Sequence, residues 1–246
     1  MLAIERIGID ELPRRLAPYR PLWAEQRRLH DAIAAGDLPN TVLLLEHAAV
    51  YTAGRSTRPE NRPDPGLNID VVDVDRGGDI TWHGPGQLVG YPLLRLPQGV
   101  YVVDYVRLLE QVVIDGLADF GLTGIRVQGR TGVWLAADSV RPERKICAIG
   151  VRYAHGVTMH GFALNVDPDL RAFDAIVPCG IRDAGVTSLA CELPAPPSLP
   201  EVADVVSAHL TVRFANPDRG RRPARDEGTV RCVISATSPV ATAYSA

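Results

Sequence analysis

The stretch Arg76-Gly-Gly-Asp-Ile-Thr-Trp-His-Gly-Pro-Gly-Gln87 decides how the rest of the chain is read. Five of these twelve residues are Gly or Pro, more than a helix or strand sustains. The composition predicts a loop whose backbone takes conformations closed to other residues or comes very close to something else. Outside it the pattern changes to alternation. Residues 69–74 read as a strand entering the loop, and residues 88–96 as a strand leaving it. A loop of this kind between two strands suits a substrate wall.

Outward toward the N-terminus, 18–35 carries Leu22, Trp23, Leu29 and Ile33 near helical spacing and stops at Gly36, the pattern of an amphipathic helix. Residues 41–46 read as a buried strand, 50–55 as its neighbour, and 56–68 as loop. Toward the C-terminus, Pro97-Gln98-Gly99 turns the chain. Residues 101–120 then place Val102, Val106, Leu109, Val113, Leu117 and Phe120 on one helical face, and Gly121 stops it. Short strands follow at 125–127, 132–135, 145–151 and 157–164. A short polar segment spans 167–173, proline rules out regular structure in 193–200, and a last amphipathic helix covers 201–214. From 215 the composition turns to Arg, Pro, Gly, Ser, Thr and Ala, which predicts disorder. The expectation is one α/β domain of the α+β type over 1–214, with helices packed on a mixed, largely antiparallel sheet, followed by a disordered tail over 215–246.

Bulk properties exclude several classes. A net charge of -3 gives no general pull toward nucleic acid, and no apolar run approaches the roughly 18 residues of a membrane span. The first ten residues lack the apolar core of a signal peptide, so a cytoplasmic location is expected. Cys147, Cys179, Cys191 and Cys232 show neither Cys-x-x-Cys nor zinc-finger spacing. No phosphate-binding loop, dinucleotide fingerprint or serine-nucleophile elbow occurs. No metal or cofactor is expected.

Candidates for chemistry are few. The chain has 26 Lys and Arg, and Lys145 is the single lysine among them. Arginine stays charged at any useful pH, so a lysine kept in an arginine-rich chain is a candidate where a deprotonatable amine is needed; a leftover surface residue is the plain alternative. Lys145 leads into the apolar strand Lys145-Ile-Cys-Ala-Ile-Gly150, where partial desolvation suits an amine to act as a base. Cys147 on that strand reads as core. Pro178-Cys179-Gly180 places a thiol on a turn, and exposed thiols are seldom kept without use; packing beneath the loop is the alternative. His83 and His160 are each followed by Gly, which leaves room beside the ring, though both patterns also fit structural histidines. Asn165 and Asp167 read as orienting groups or helix caps.

Together the motif at 76–87, Lys145 opening its strand, His160-Gly-Phe-Ala-Leu-Asn165 and Pro178-Cys-Gly180 resemble the lipoyl(octanoyl)transferase family, lipoate-biosynthesis protein B. The resemblance runs from about 42 to 189 and includes Leu44-Leu-Glu-His47, Tyr51-Thr-Ala-Gly-Arg55 and Val186-Thr-Ser-Leu189. It implies a fold like the catalytic domain of biotin and lipoate protein ligases. It implies transfer of an octanoyl group from octanoyl-acyl carrier protein to a lysine on a lipoyl domain, in 2-oxoacid dehydrogenase complexes and the glycine cleavage H protein, by a monomer. It assigns Cys179 as the acyl-thioester nucleophile and Lys145 as its partner. Substrate contacts fall on Arg76, Gly77, Gly78, Asp79, Ile80, Thr81, Trp82 and His83, on Ala148, Ile149 and Gly150, and on Gly161, Phe162 and Ala163. The loop, with Gly77-Gly78 and the rings of Trp82 and His83, would form walls for the acyl chain. An ATP-dependent lipoate or biotin ligase on the same fold, or a non-catalytic acyl- or carrier-binding protein, are the rival readings.

Overall fold

The computed structural model describes residues 2–176 and 184–214. Cys179 and the tail from 215 therefore lie outside the described residues. The strands are β1 (Leu2–Ile7), β2 (Asn40–Leu45), β3 (Val50–Ala53), β4 (Asp70–Asp73), β5 (Thr81–His83), β6 (Gln87–Leu93), β7 (Ile125–Val127), β8 (Arg130–Leu135), β9 (Arg144–Ala154), β10 (Val157–Asn165) and β11 (Gly185–Val186). The helices are α1 (Tyr19–Ala35), α2 (Val102–Asp119), α3 (Leu189–Glu192) and α4 (Leu199–Phe214).

The main sheet runs β1-β2-β6-β10-β9-β8-β7, with β11 beside β9. The β1–β2 and β11–β9 pairs are parallel and the rest antiparallel. This is the mixed, largely antiparallel sheet that the strand spacing predicts. Its two faces follow from alternation along each strand. On β2, Val42 and Leu44 join α2 and α4 in one core, while Leu43 and Leu45 join α1 in the other. Each such fully buried side chain contributes about 1.5–3 kcal/mol, so the alternation in β2 holds the layers on both sides.

Helix α1 buries Tyr19, Leu22, Gln26, Leu29, His30 and Ile33, and Gly36 ends it at φ 93°. Helix α2 buries Tyr105, Leu109, Val112, Val113 and Leu117. Val102 and Val106, read as part of its apolar face, are only half-buried.

Four features differ from the sequence expectations. Residues 2–7 form the parallel edge strand β1, whose half-buried, charge-mixed residues carry no clear alternation. β3 is not the neighbour of β2. It centres a separate sheet, β4-β3-β5, and all four of its residues are buried. The loop at 76–87 contains a strand of its own, β5, antiparallel to β3. And α4 starts inside the proline-rich stretch, at Leu199. Among the described residues no helix is long and apolar enough to cross a membrane.

Candidate active site

A cleft of about 470 Å³, its open mouth included, lies where the small sheet and the Gly-rich loop face the α1 side of the main sheet. Its floor is made by β9 and β10. In their antiparallel register Ala148 stands opposite Ala163 and Gly150 opposite Gly161. The two alanines leave room for the cleft, the two glycines let Arg76 and the Gly90 backbone come close, and the intervening Ile149 and Phe162 side chains pack toward the α2 side. At Gly150 even a Cβ would come within 2.9 Å of the Arg76 side chain and 3.1 Å of the Gly77 carbonyl. The loop lies that close to the sheet.

The loop is held by Arg76, which is buried. Its guanidinium donates to the carbonyls of Gly77 (3.1 Å), Asp79 (2.8 Å) and Thr52 (2.7 Å) and to Thr52 Oγ1 (2.9 Å). The Gly77 amide donates to Val151 O at 3.0 Å and ties the loop to β9. Arg76, Gly78, Asp79, Thr81 and His83 line the cleft, as do all six positions named on β9 and β10. Gly77, Ile80 and Trp82 do not. Ile80 and Trp82 are instead buried with Tyr51, Ala53, Phe173 and Ile176 on the far face of the small sheet, Trp82 edge-on to Phe173 at 5.7 Å. Alternation explains the split: Thr81 and His83 turn to one face, Ile80 and Trp82 to the other. The Gly84-Pro85-Gly86 turn then brings Gln87 back under His83. Gly86 has φ 86°, and a Cβ there would lie 2.1 Å from Asp167 O; its amide donates to Glu46 Oε1 at 2.8 Å.

The remaining wall comes from residues not named as substrate contacts from sequence: Tyr19 of α1, Tyr91 of β6 and His160 of β10. His47 supports them. Its Nδ1 donates to Ala17 O (2.9 Å), so its Nε2 accepts from the Tyr91 hydroxyl (2.8 Å). His160 has φ 56°, a region few non-glycine residues adopt, and its amide donates to Gln26 Oε1 of α1 at 3.2 Å. Its Nε2 donates to Asp75 at 2.8 Å, and Arg152 pairs with the same carboxylate at 3.3 Å. The hydrogen bond from His160 holds the Asp75 carboxyl below its usual range, and burial pushes His160 toward its neutral form. Of these, His160 carried a local signal, the glycine that follows it. Tyr19 and Tyr91 arrive through sheet order, which single-sequence patterns do not encode.

Burial also lowers His47, from 6.5 to about 4. The unfolded chain binds this proton near pH 6.5 and the folded chain does not until about pH 4. Stability is therefore complete above pH 6.5 and is lost as pH falls from 6.5 to 4, by about 3 kcal/mol from this residue. Urea midpoints measured across that window are expected to fall steadily. A flat profile would contradict the buried, neutral His47.

Lys145 is the second residue of β9, three residues before Ala148, about 10 Å along the strand. It is only 8% exposed, and its Nζ lies 4.6 Å from the centroid of the Trp134 ring. Its carbonyl accepts from the Thr187 amide at 2.9 Å, and its backbone pairs in register with Val186 of β11. The register sets Val186, seven residues on from Cys179 in the chain, directly against Lys145. Nearby, the fully buried Glu110 accepts from Arg107, Arg126 and the Gly132 amide, and a Cβ at Gly132 would lie 3.5 Å from Lys145 Cε. Cys147 is buried, with its thiol pushed up by burial. Cys191 is exposed. The strand whose small residues floor the cleft also carries Lys145, which does not itself line it.

Residues 18–211 match the family described as Lipoyl protein ligase A/B catalytic domain. The chain is 58% identical over 192 residues to an octanoyltransferase of Salinispora tropica, covering 78% of this chain and 89% of that protein. It is 53% identical over 235 residues to an octanoyltransferase of Mycobacterium ulcerans, covering 93% and 95%. Among solved structures, a bi-partite lipoate protein ligase from Thermoplasma acidophilum superposes with a TM-score of 0.64 over 87% of this chain and 85% of that one, at 14% identity, a likeness of fold.

Proposed function

The chain belongs to the lipoyl protein ligase A/B catalytic-domain family and, within it, to the octanoyltransferases, which are acyltransferases; from that premise we propose that it moves an octanoyl group from octanoyl-acyl carrier protein to the acceptor lysine of lipoyl domains through a thioester on Cys179. The observation that carries the reading is the shared strand: Lys145 stands near the start of β9, and Ala148 and Gly150 of the same strand floor the cleft. A chain laid in the cleft would bring its thioester end toward Lys145. At about 0.8 kcal/mol per buried CH₂, seating an eight-carbon chain contributes several kcal/mol of binding.

In the proposed sequence the Cys179 thiol gives its proton to the amine of Lys145. The thiolate attacks the octanoyl carbonyl, the carrier's thiolate leaves, and it recovers a proton from Lys145. The ammonium formed in between faces the Trp134 ring, whose negative face stabilises a cation. The acceptor lysine then attacks the enzyme thioester. An amide forms, the Cys179 thiolate is released, and Lys145 takes the proton shed by the incoming amine. Thioester-to-amide exchange runs downhill, so the reaction needs no nucleotide. The reading keeps the expectation of a cytoplasmic location.

The test is intact mass spectrometry. Incubation with octanoyl-acyl carrier protein is expected to add one octanoyl group to the enzyme. Addition of a lipoyl domain, with no ATP present, is expected to remove it and acylate the domain. An absolute requirement for ATP, or free octanoic acid as the product, would defeat the reading.

A further inference from the structure

His83 faces the cleft, and by residue type it is, with Asp79, one of two groups of the Gly-rich loop suited to acid–base work. Its surroundings assign it otherwise. A continuous series of buried hydrogen bonds passes through it. Arg76 Nη2 meets Thr52 Oγ1 at 2.9 Å, and Thr52 Oγ1 meets His83 Nε2 at 3.2 Å. His83 Nδ1 meets Gln87 Oε1 at 2.8 Å. Gln87 Nε2 meets Asn165 Oδ1 at 2.9 Å, and Asn165 Nδ2 meets Thr187 O at 2.9 Å.

The two ends fix the direction of the whole series. A backbone carbonyl only accepts, so Asn165 turns its amide nitrogen to Thr187 and its oxygen to Gln87. Gln87 must then donate to Asn165, which leaves its oxygen for His83. At the other end a guanidinium only donates, so Thr52 Oγ1 accepts from Arg76 and gives its one hydrogen to His83 Nε2. The ring is left with its hydrogen on Nδ1 and its lone pair occupied.

We propose that Gln87 and Asn165 are positioning residues that lock His83 as the neutral Nδ1–H tautomer, so that it serves as a wall of the cleft with neither nitrogen free for proton transfer. A second proton on Nε2 would leave the Thr52 hydrogen without its acceptor and put a buried charge beside Arg76. The other titratable groups facing the ring are Tyr19, stacked at 6.3 Å, His47 at 5.8 Å, Tyr91 and His160. None of these is a carboxylate that would favour an imidazolium. Burial also holds His83 well below the usual histidine range. The inference rests on the octanoyl-transfer reading and deepens it by removing His83 from the groups that could move a proton beside the acyl chain.

The experiment is ¹⁵N NMR of the full chain labelled at histidine. The wild type is expected to show the Nδ1–H form of His83 with no titration between pH 5 and 8. Asn165→Leu frees Gln87 to flip and is expected to give a mixture of tautomers. Asn165→Asp still accepts from Gln87 and is expected to restore the single form. Gln87→Glu places a carboxylate against Nδ1; His83 is expected to begin titrating, and the pH profile of kcat/KM to gain a limb that the wild type lacks. An Nε2–H tautomer in the wild type, or ordinary titration there, overturns the proposal even if no variant folds. So does an unchanged His83 spectrum in folded Asn165→Leu and Gln87→Glu. Because the tautomer is read without substrate, a chain that shows Nδ1–H but transfers no octanoyl group would refute the transfer reading alone.

Discussion

Lys145→Arg is expected to lower octanoyl turnover by about 10²–10⁴-fold, the usual range for loss of a general acid–base group, while the protein stays folded. Arginine keeps the positive charge beside Trp134, so the substitution separates charge from proton transfer. Lys145 is nearly buried and rests on the Trp134 ring, and the larger guanidinium must share that space. Lys145→Met, which retains the apolar stem, controls for crowding. If both variants lose turnover alike, the missing element is the exchangeable amine. If Lys145→Arg keeps wild-type turnover, the residue contributes only charge. The companion variant Cys179→Ala is expected to abolish the octanoyl adduct, and an adduct that survives it would place the thioester on another residue. Circular dichroism at matched concentration checks the fold in all three.

The second large effect is expected at Ala148→Leu. Ala148 faces the cleft opposite Ala163, and a leucine there fills the space that an acyl chain would occupy. Octanoyl loading is expected to fall at least about 100-fold, equivalent to about 3 kcal/mol. The Cys179 thiol should still react with a small alkylating agent, since the chemistry lies toward Lys145. Parallel loss of both activities would mean that Ala148 supports the fold or the catalytic pair and not the acyl chain. The Gly77-Gly78 pair is a poorer place for this test. A Cβ at Gly77 meets only Val151 O, at 3.6 Å, and Gly77 does not line the cleft. At Gly78 φ is 87°, so any side chain there strains the loop before it reaches a ligand.

Both experiments depend on side chains whose placement was unevenly legible. The sheet type could be read because most strands carry short-range alternation and most turns carry Gly or Pro. β1 and β5 could not. One is a charge-mixed edge strand. The other is three residues long inside a loop of glycines, and it exists because β3 offers it a partner. The same limit applies to Trp82. A tryptophan in a Gly-rich loop reads as a ligand wall, yet the pairing of β5 with β3 turns it into the core around Phe173.

By itself the sequence determined the helix stop at Gly36, the Gly-rich loop at 76–87 and the scarcity that singled out Lys145. These are local facts of spacing and residue type, and they survive any arrangement of the elements. Only the tertiary structure decided that β6 lies against β10. That adjacency sets Gln87 opposite Asn165 in register and so fixes which way His83 holds its hydrogen. It also brings Tyr91, with Tyr19 from α1, to the same cleft. The direction of a hydrogen-bond series depends on what stands at its ends, here a guanidinium at 76 and a carbonyl at 187, more than a hundred residues apart in the chain.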